Sequence, residues 1–147
     1  MSQGTVALAS DHAGFALKQL LAEHLRGEHY EILDLGTHDL ESVDYPDYGA
    51  AMAEAIGSGR AQKGVVVCGT GIGISIAANR HRAVRAALCH NSTAARLARQ
   101  HNDANVLALG ARMIGEEVAK ECLTVFLATE FEGGRHQQRV VKLSGGA

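Results

Sequence analysis

The side chains able to do chemistry in this sequence are a thiol, a few arginines and two histidines, and their neighbours say which chemistry. Cys68 opens the run Cys68-Gly69-Thr70-Gly71-Ile72-Gly73. The apolar stretch Gly64-Val65-Val66-Val67 leads into it, and Ile74-Ser75-Ile76-Ala77-Ala78-Asn79 leads away in a helical pattern. At such a strand–turn–helix corner, successive backbone N–H groups face one concave point and the helix adds the positive end of its dipole. Cys68 is therefore either a small structural residue or a thiol held against an anion site. Arg135 and Arg139 stand four apart, which on one helix gives them a common face. They form either a solvated surface pair or a clamp for a phosphate dianion. His12 follows Asp11 directly, and His101 lies in Arg99-Gln100-His101-Asn102-Asp103. The spacings of the eight histidines relative to the acids and cysteines give no convincing metal cluster.

Familiar loop chemistries narrow the reading by failing. A Walker A loop ends in Gly-Lys-Ser/Thr, and no lysine occurs between Lys63 and Lys120. The dinucleotide fingerprint needs a glycine where Ile74 stands, and an acidic residue about 20 positions further on, where the sequence reads Leu88-Cys89-His90. A thiol phosphatase loop would also need arginine in place of Ile74. A phosphoacceptor domain would need aspartate in place of Cys68. What remains is a general anion cradle with a thiol at its edge.

The elements that must position these groups alternate along the chain. The pattern predicts strands over 5–9, 30–34, 64–68, 85–89 and 105–109, and helices over 14–25, 46–56, 72–80, 92–99 and 115–127. The single proline, Pro46, falls at a helix start, where its missing N–H costs little. Alternation of this kind implies βαβ units and a parallel sheet covered on both faces. The expected fold is one domain over 1–147: a doubly wound α/β three-layer sandwich with a five-stranded parallel sheet, Rossmann-like or flavodoxin-like. A basic C-terminal segment over 132–147 follows the core.

Ligands in such folds gather at the carboxyl ends of the strands. That rim holds Ser10-Asp11-His12, Gly36-Thr37-His38, Cys68-Gly69-Thr70, His90-Asn91 and Gly110-Ala111-Arg112. His101 falls at the opposite end. It is either a helix-terminal histidine favoured by the dipole or a catalytic group brought to the rim by a second subunit.

Composition excludes several classes. A formal net charge of −2 argues against a general nucleic-acid or membrane-surface binder. No apolar stretch approaches the ~18 residues of a membrane span, and the N-terminus lacks a signal-peptide pattern. The cytoplasm is the expected compartment. Cys68, Cys89 and Cys122 form no CxxC spacing. Cys89 and Cys122 lie in apolar surroundings and read as small core residues.

Taken together, Ser10-Asp11-His12-Ala13-Gly14-Phe15, Asp44-Tyr45-Pro46, the glycine loop from Cys68 to Asn79, Arg99 to Asp103 and Glu132 to Arg139 resemble the B-type ribose-5-phosphate isomerases. That family also contains galactose-6-phosphate isomerase subunits. The resemblance implies a metal-free, cofactor-free aldose–ketose isomerase of pentose phosphate metabolism, interconverting ribose 5-phosphate and ribulose 5-phosphate through an enediolate. It also implies a homodimer, often paired further into a tetramer, with sites shared between subunits. On this reading His101 assists ring opening beside Asp11, and Cys68 moves the proton between C2 and C1. The amides from Gly69 through Gly71 and Ile72 to Gly73, with the Thr70 hydroxyl, stabilise the enediolate. Arg135 and Arg139, with Arg112 and His12, hold the phosphate, and Asn102 and Tyr45 contact sugar hydroxyls. Some family members use a glutamate base further along the loop. Here Gly73-Ile74-Ser75-Ile76 carries no acid, which favours the thiol. The alternatives are an isomerase of allose 6-phosphate or galactose 6-phosphate, and a non-catalytic sugar-phosphate sensor.

Overall fold

Side chains alternate across a strand, so Val65 and Val67 face one side of the sheet while Val66 and Cys68 face the other. Both sides are buried, which is why the strand Lys63–Cys68 (β3) reads as a nearly continuous apolar run. The computed structural model describes residues 2–145. Four more strands complete the parallel sheet: Thr5–Ser10 (β1), Glu31–Asp34 (β2), Ala86–Leu88 (β4) and Val106–Gly110 (β5). Their order is β2-β1-β3-β5-β4, with β5 inserted between β3 and the edge strand β4.

Helices cover the two faces. Phe15–Gly27 (α1), Ser92–Asn102 (α4) and Glu116–Ala128 (α5) contribute Leu21, Leu25, Ala95, Leu123 and Phe126 to one core layer. Tyr45–Gly57 (α2) and Ile72–Asn79 (α3) contribute Met52, Ile74 and Ala78 to the other. Since α1 leaves β1 toward one face and α3 leaves β3 toward the other, a crevice opens between the carboxyl ends of β1 and β3. Asp11 and Cys68 stand on its two sides. A short turn, Gly134–His136, leads into the last helix, Gln137–Leu143 (α6). No helix among the described residues is long and apolar enough to cross a membrane.

Two expectations change in detail. The fourth helix runs to Asn102 instead of ending near Arg99, because Arg99 finishes it. Its guanidinium donates to Asp103 Oδ1 (2.8 Å), Ala104 O (2.7 Å) and Thr129 O (2.9 Å). His101 and Asn102 are thus in the last helical turn. Arg135 and Arg139 do not share one helix: Arg135 sits in the tight turn and Arg139 in α6. Gly133 and Gly134, at φ of 67° and 56°, bend the chain just ahead of them.

A buried ion pair braces the β1 side of the crevice. Lys18 Nζ, fully buried, donates to Asp34 Oδ1 at 2.7 Å. The same oxygen accepts the Gly36 N–H at 3.0 Å. Gly36 O in turn accepts the Ser10 N–H (2.7 Å), and the Thr37 N–H donates to Ser10 O (2.8 Å). Burial pushes the Asp34 pKa up, but the hydrogen bonds from Lys18 and Gly36, with the nearby Lys18 and His38 charges, outweigh it and hold the carboxyl below its ordinary value. Lys18→Met leaves this partly buried carboxylate short of a donor and is expected to cost about 1–3 kcal/mol in urea unfolding. Because the folded pKa is depressed, the Asp34 contribution is present above about 3.8 and is lost as pH falls below it. The stability gap between wild type and Asp34→Asn should therefore be full at neutral pH and close in acid.

Candidate active site

The corner after β3 is built around Gly71. Its φ of 77° is left-handed, and it lies hard against Leu88, Leu109 and Gly110, so only glycine fits. This turn aims the Gly71 N–H back at Cys68 Sγ, 3.2 Å away. Cys68 is 4% exposed, at the end of β3 and just ahead of α3. The Ile72 N–H donates to Thr70 Oγ1 at 3.1 Å. Sulfur, hydroxyl and amides therefore share one small volume at a helix start.

The loop after β5 lies alongside. The Ala111 N–H donates to Cys68 O and the Arg112 N–H to Gly69 O, both at 2.9 Å. A Cβ on Gly69 would stand 3.2 Å from an Arg112 guanidinium nitrogen, so Arg112 lies across the glycine loop. From α2, the Tyr45 ring packs over Gly73, where a Cβ would come within 2.6 Å of it. From the far side of the crevice, Asp11 Oδ1 accepts the Gly14 N–H at 3.0 Å, and its own N–H donates to Val67 O. His12 Nδ1 accepts the Val43 N–H at 3.1 Å. That bond leaves Nε2 carrying the proton of the neutral ring, a donor.

The chain thus brings together Asp11, His12, Tyr45, Arg112 and Cys68 through Gly73. It does not bring His101, Asn102, Arg135 or Arg139 to them. Helix α4 begins at the rim, where Asn91 Oδ1 accepts the Ala94 N–H at 2.8 Å. Its 11 residues then carry His101 down to the amino ends of the strands, a run of about 16 Å. The C-terminal segment joins His101 there: the His101 and His136 rings stack with centroids 4.5 Å apart and 14° between planes. The Arg85 guanidinium, beside β4, reaches Ser144 Oγ at 3.1 Å and pins the end of α6 to the same pole. Burial, then the facing His101 and the Arg135 charge, push the His136 pKa below its ordinary value.

The two other thiols are separate from either group. Burial, with Cys122 nearby, pushes Cys89 up to about 12, and burial also raises Cys122. Both are packed in the core as protonated thiols.

Sequence reasoning missed Glu132 and His136 as neighbours of His101. Their four-residue spacing was visible, but the third partner lies on another element.

Comparison with known proteins fits this geometry. The family model described as Ribose/Galactose Isomerase matches residues 6–143. The chain belongs to the ribose/galactose isomerase family. Within that family it is 47% identical to ribose-5-phosphate isomerase B of Escherichia coli strain K12, over 92% of this chain and 91% of the relative. The structure of Clostridium thermocellum ribose-5-phosphate isomerase B superposes with a TM-score of 0.94 at 50% identity, covering 96% of this chain and 95% of that one. The Mycoplasma genitalium ribose-5-phosphate isomerase B, solved with bound ribulose-5-phosphate, gives a TM-score of 0.92 at 37% identity, covering 99% and 97%.

Proposed function

We infer that this isomerase-family chain interconverts ribose 5-phosphate and ribulose 5-phosphate, with Cys68 as the carbon base. The observation that carries the reading is the Gly71 N–H held 3.2 Å from Cys68 Sγ at a helix start. A donor there holds the sulfur in place at the mouth of the loop, and the same corner receives negative charge as it develops on substrate. Relatives named for this activity share the fold and nearly half the sequence.

The reaction begins with the closed furanose. His101 takes the proton from the C1 hydroxyl and passes it to the ring oxygen O4, breaking the C1–O4 bond and freeing the aldehyde. The Cys68 thiolate then removes the proton from C2, and the electron pair moves through C1 onto O1. The resulting enediolate is met by the Gly69–Gly73 amides and the Thr70 hydroxyl. Loss of one such donor typically costs about 3 kcal/mol of transition-state stabilisation. Transfer of the O2 proton to O1 and return of the Cys68 proton to C1 complete the ketose, so no atom is gained or lost. His12, through Nε2–H, and Arg112 hold the phosphate with Arg135 and Arg139. Tyr45 and Asn102 bind hydroxyls, and Asp11 is a polar partner of the opening ring. Binding energy taken from the remote phosphate keeps a flexible open-chain sugar in reacting geometry.

One chain cannot place both groups of residues on one substrate. A two-fold dimer can, giving two sites, each with the thiol loop of one subunit and the His101–Arg139 region of its partner. An exposed apolar patch beside the loop supports it. Ile72 and Ile76 share a face of α3, with Tyr45 and Met113 nearby, all between 42% and 55% exposed. The assembly is of the cytoplasmic, metal-independent kind.

Formation of ribulose 5-phosphate from ribose 5-phosphate with EDTA present tests the assignment, and turnover is expected. A folded protein silent on ribose 5-phosphate but active on allose 6-phosphate would move the assignment to a hexose phosphate. Silence on both would leave the sensor.

A further inference from the structure

At the amino-end pole the fold assembles a cluster that sequence spacing hides. His101, Glu132 and His136 each offer one ligand atom, and these atoms lie within 4.8 Å of one another. The Glu132 N–H donates to Gln100 O at 3.1 Å, tying this segment to the last turn of α4. His136 is 6% exposed, yet its Nε2 has no hydrogen-bond partner among the described residues. Glu132 Oε1 stops 3.6 Å away. A buried nitrogen left without a partner calls for an occupant.

We propose that His101, Glu132 and His136 form a binding site for a borderline divalent cation of the zinc or cobalt class, whose occupancy takes His101 out of the reaction. Two imidazoles and a carboxylate form a set that zinc takes in sites with three protein ligands, the fourth position being left to water. Magnesium and calcium prefer all-oxygen surroundings and are disfavoured by the two imidazoles. Metal–ligand distances of about 2.1 Å require the three ligand atoms to close to about 3.4 Å from one another. The stacked rings must therefore open. His136 is buried and stays, while the half-buried His101 and the exposed Glu132 side chain supply the movement. An imidazole nitrogen bound to a metal cannot exchange a proton with a sugar. Metal binding stands on the cluster alone; its effect on turnover rests on the ring-opening role inferred for His101.

Cobalt(II) titrated into the metal-free full chain tests the site by visible absorption. Tetrahedral d–d bands without a thiolate-to-cobalt charge-transfer band are expected, and they should persist in Cys68→Ala. Glu132→Gln, an exposed change that leaves folding intact, should weaken cobalt by at least the ~100-fold that loss of even an outer-shell partner can cause. His136→Gln should do the same. With zinc, ribose 5-phosphate turnover should fall in step with occupancy and return with EDTA. Glu132→Gln should keep its basal turnover and resist the same zinc. An octahedral spectrum, a charge-transfer band that vanishes with Cys68, or unchanged affinity in Glu132→Gln would overturn the site. Occupancy with undiminished turnover would keep the site and remove His101 from the mechanism.

Discussion

Cys68→Ala is expected to reduce kcat for ribose 5-phosphate isomerisation by about 10²–10⁴-fold, the range for loss of a positioned acid–base group. Binding of the phosphorylated sugar should survive, because the arginines, His12 and the amides are untouched. The two effects separate cleanly: calorimetry of a sugar phosphate reads the pocket, and turnover reads the base. The fold should tolerate the change, since alanine is smaller and the loop is held by Gly71 and by backbone bonds from Ala111 and Arg112. No acid in the loop stands ready to substitute, as Gly73-Ile74-Ser75-Ile76 has none. Asp11 Oδ1, across the crevice, is committed to the Gly14 N–H. Residual activity within about tenfold of wild type, a barrier change under about 1.4 kcal/mol, would remove the thiol from the chemistry.

His101→Asn is expected to lose about 10²-fold on ribose 5-phosphate, but far less in the reverse direction. Ribose 5-phosphate is mainly a furanose and must be opened. Ribulose 5-phosphate has its C5 oxygen phosphorylated and stays open-chain, so it needs no ring opening on entry. A loss equal in both directions would refute the ring-opening role. The same variant tests the shared site. Mixed with Cys68→Ala under conditions that exchange subunits, it forms hybrid dimers in which one site carries both changes and the other neither. Random pairing then restores about a quarter of wild-type turnover from two nearly inactive proteins. No recovery after proven exchange would mean that Cys68 and His101 do not meet across an interface.

The fold was legible because its signals are local. Each strand is a short apolar run and each helix carries one apolar face, so the alternation of elements could be read directly. The glycine corner was legible too, since only a strand–turn–helix geometry makes sense of glycines at 69, 71 and 73 after an apolar strand. Strand order was not legible, because nothing local to β4 or β5 says which of them lies beside β3. The extra turn of α4 was missed because its end is set by Arg99 reaching Thr129 O, thirty residues away. The His101–His136 stack was missed for the same reason. Contacts between distant segments leave no periodic trace in either segment.

The strand order has a consequence for how the protein is made. β5 occupies the place between β3 and β4, and both are synthesised before it. Until β5 emerges, β3 has one bare edge and β4 has no neighbour in the sheet, so the nascent chain holds an open slot lined with unpaired backbone groups. Filling that slot also supplies the Ala111 and Arg112 N–H groups that clasp the carbonyls of Cys68 and Gly69. The reactive corner is therefore among the last parts to take shape. A chain interrupted before residue 106 would carry the thiol and its glycine loop but not the Ala111 and Arg112 N–H groups that hold them.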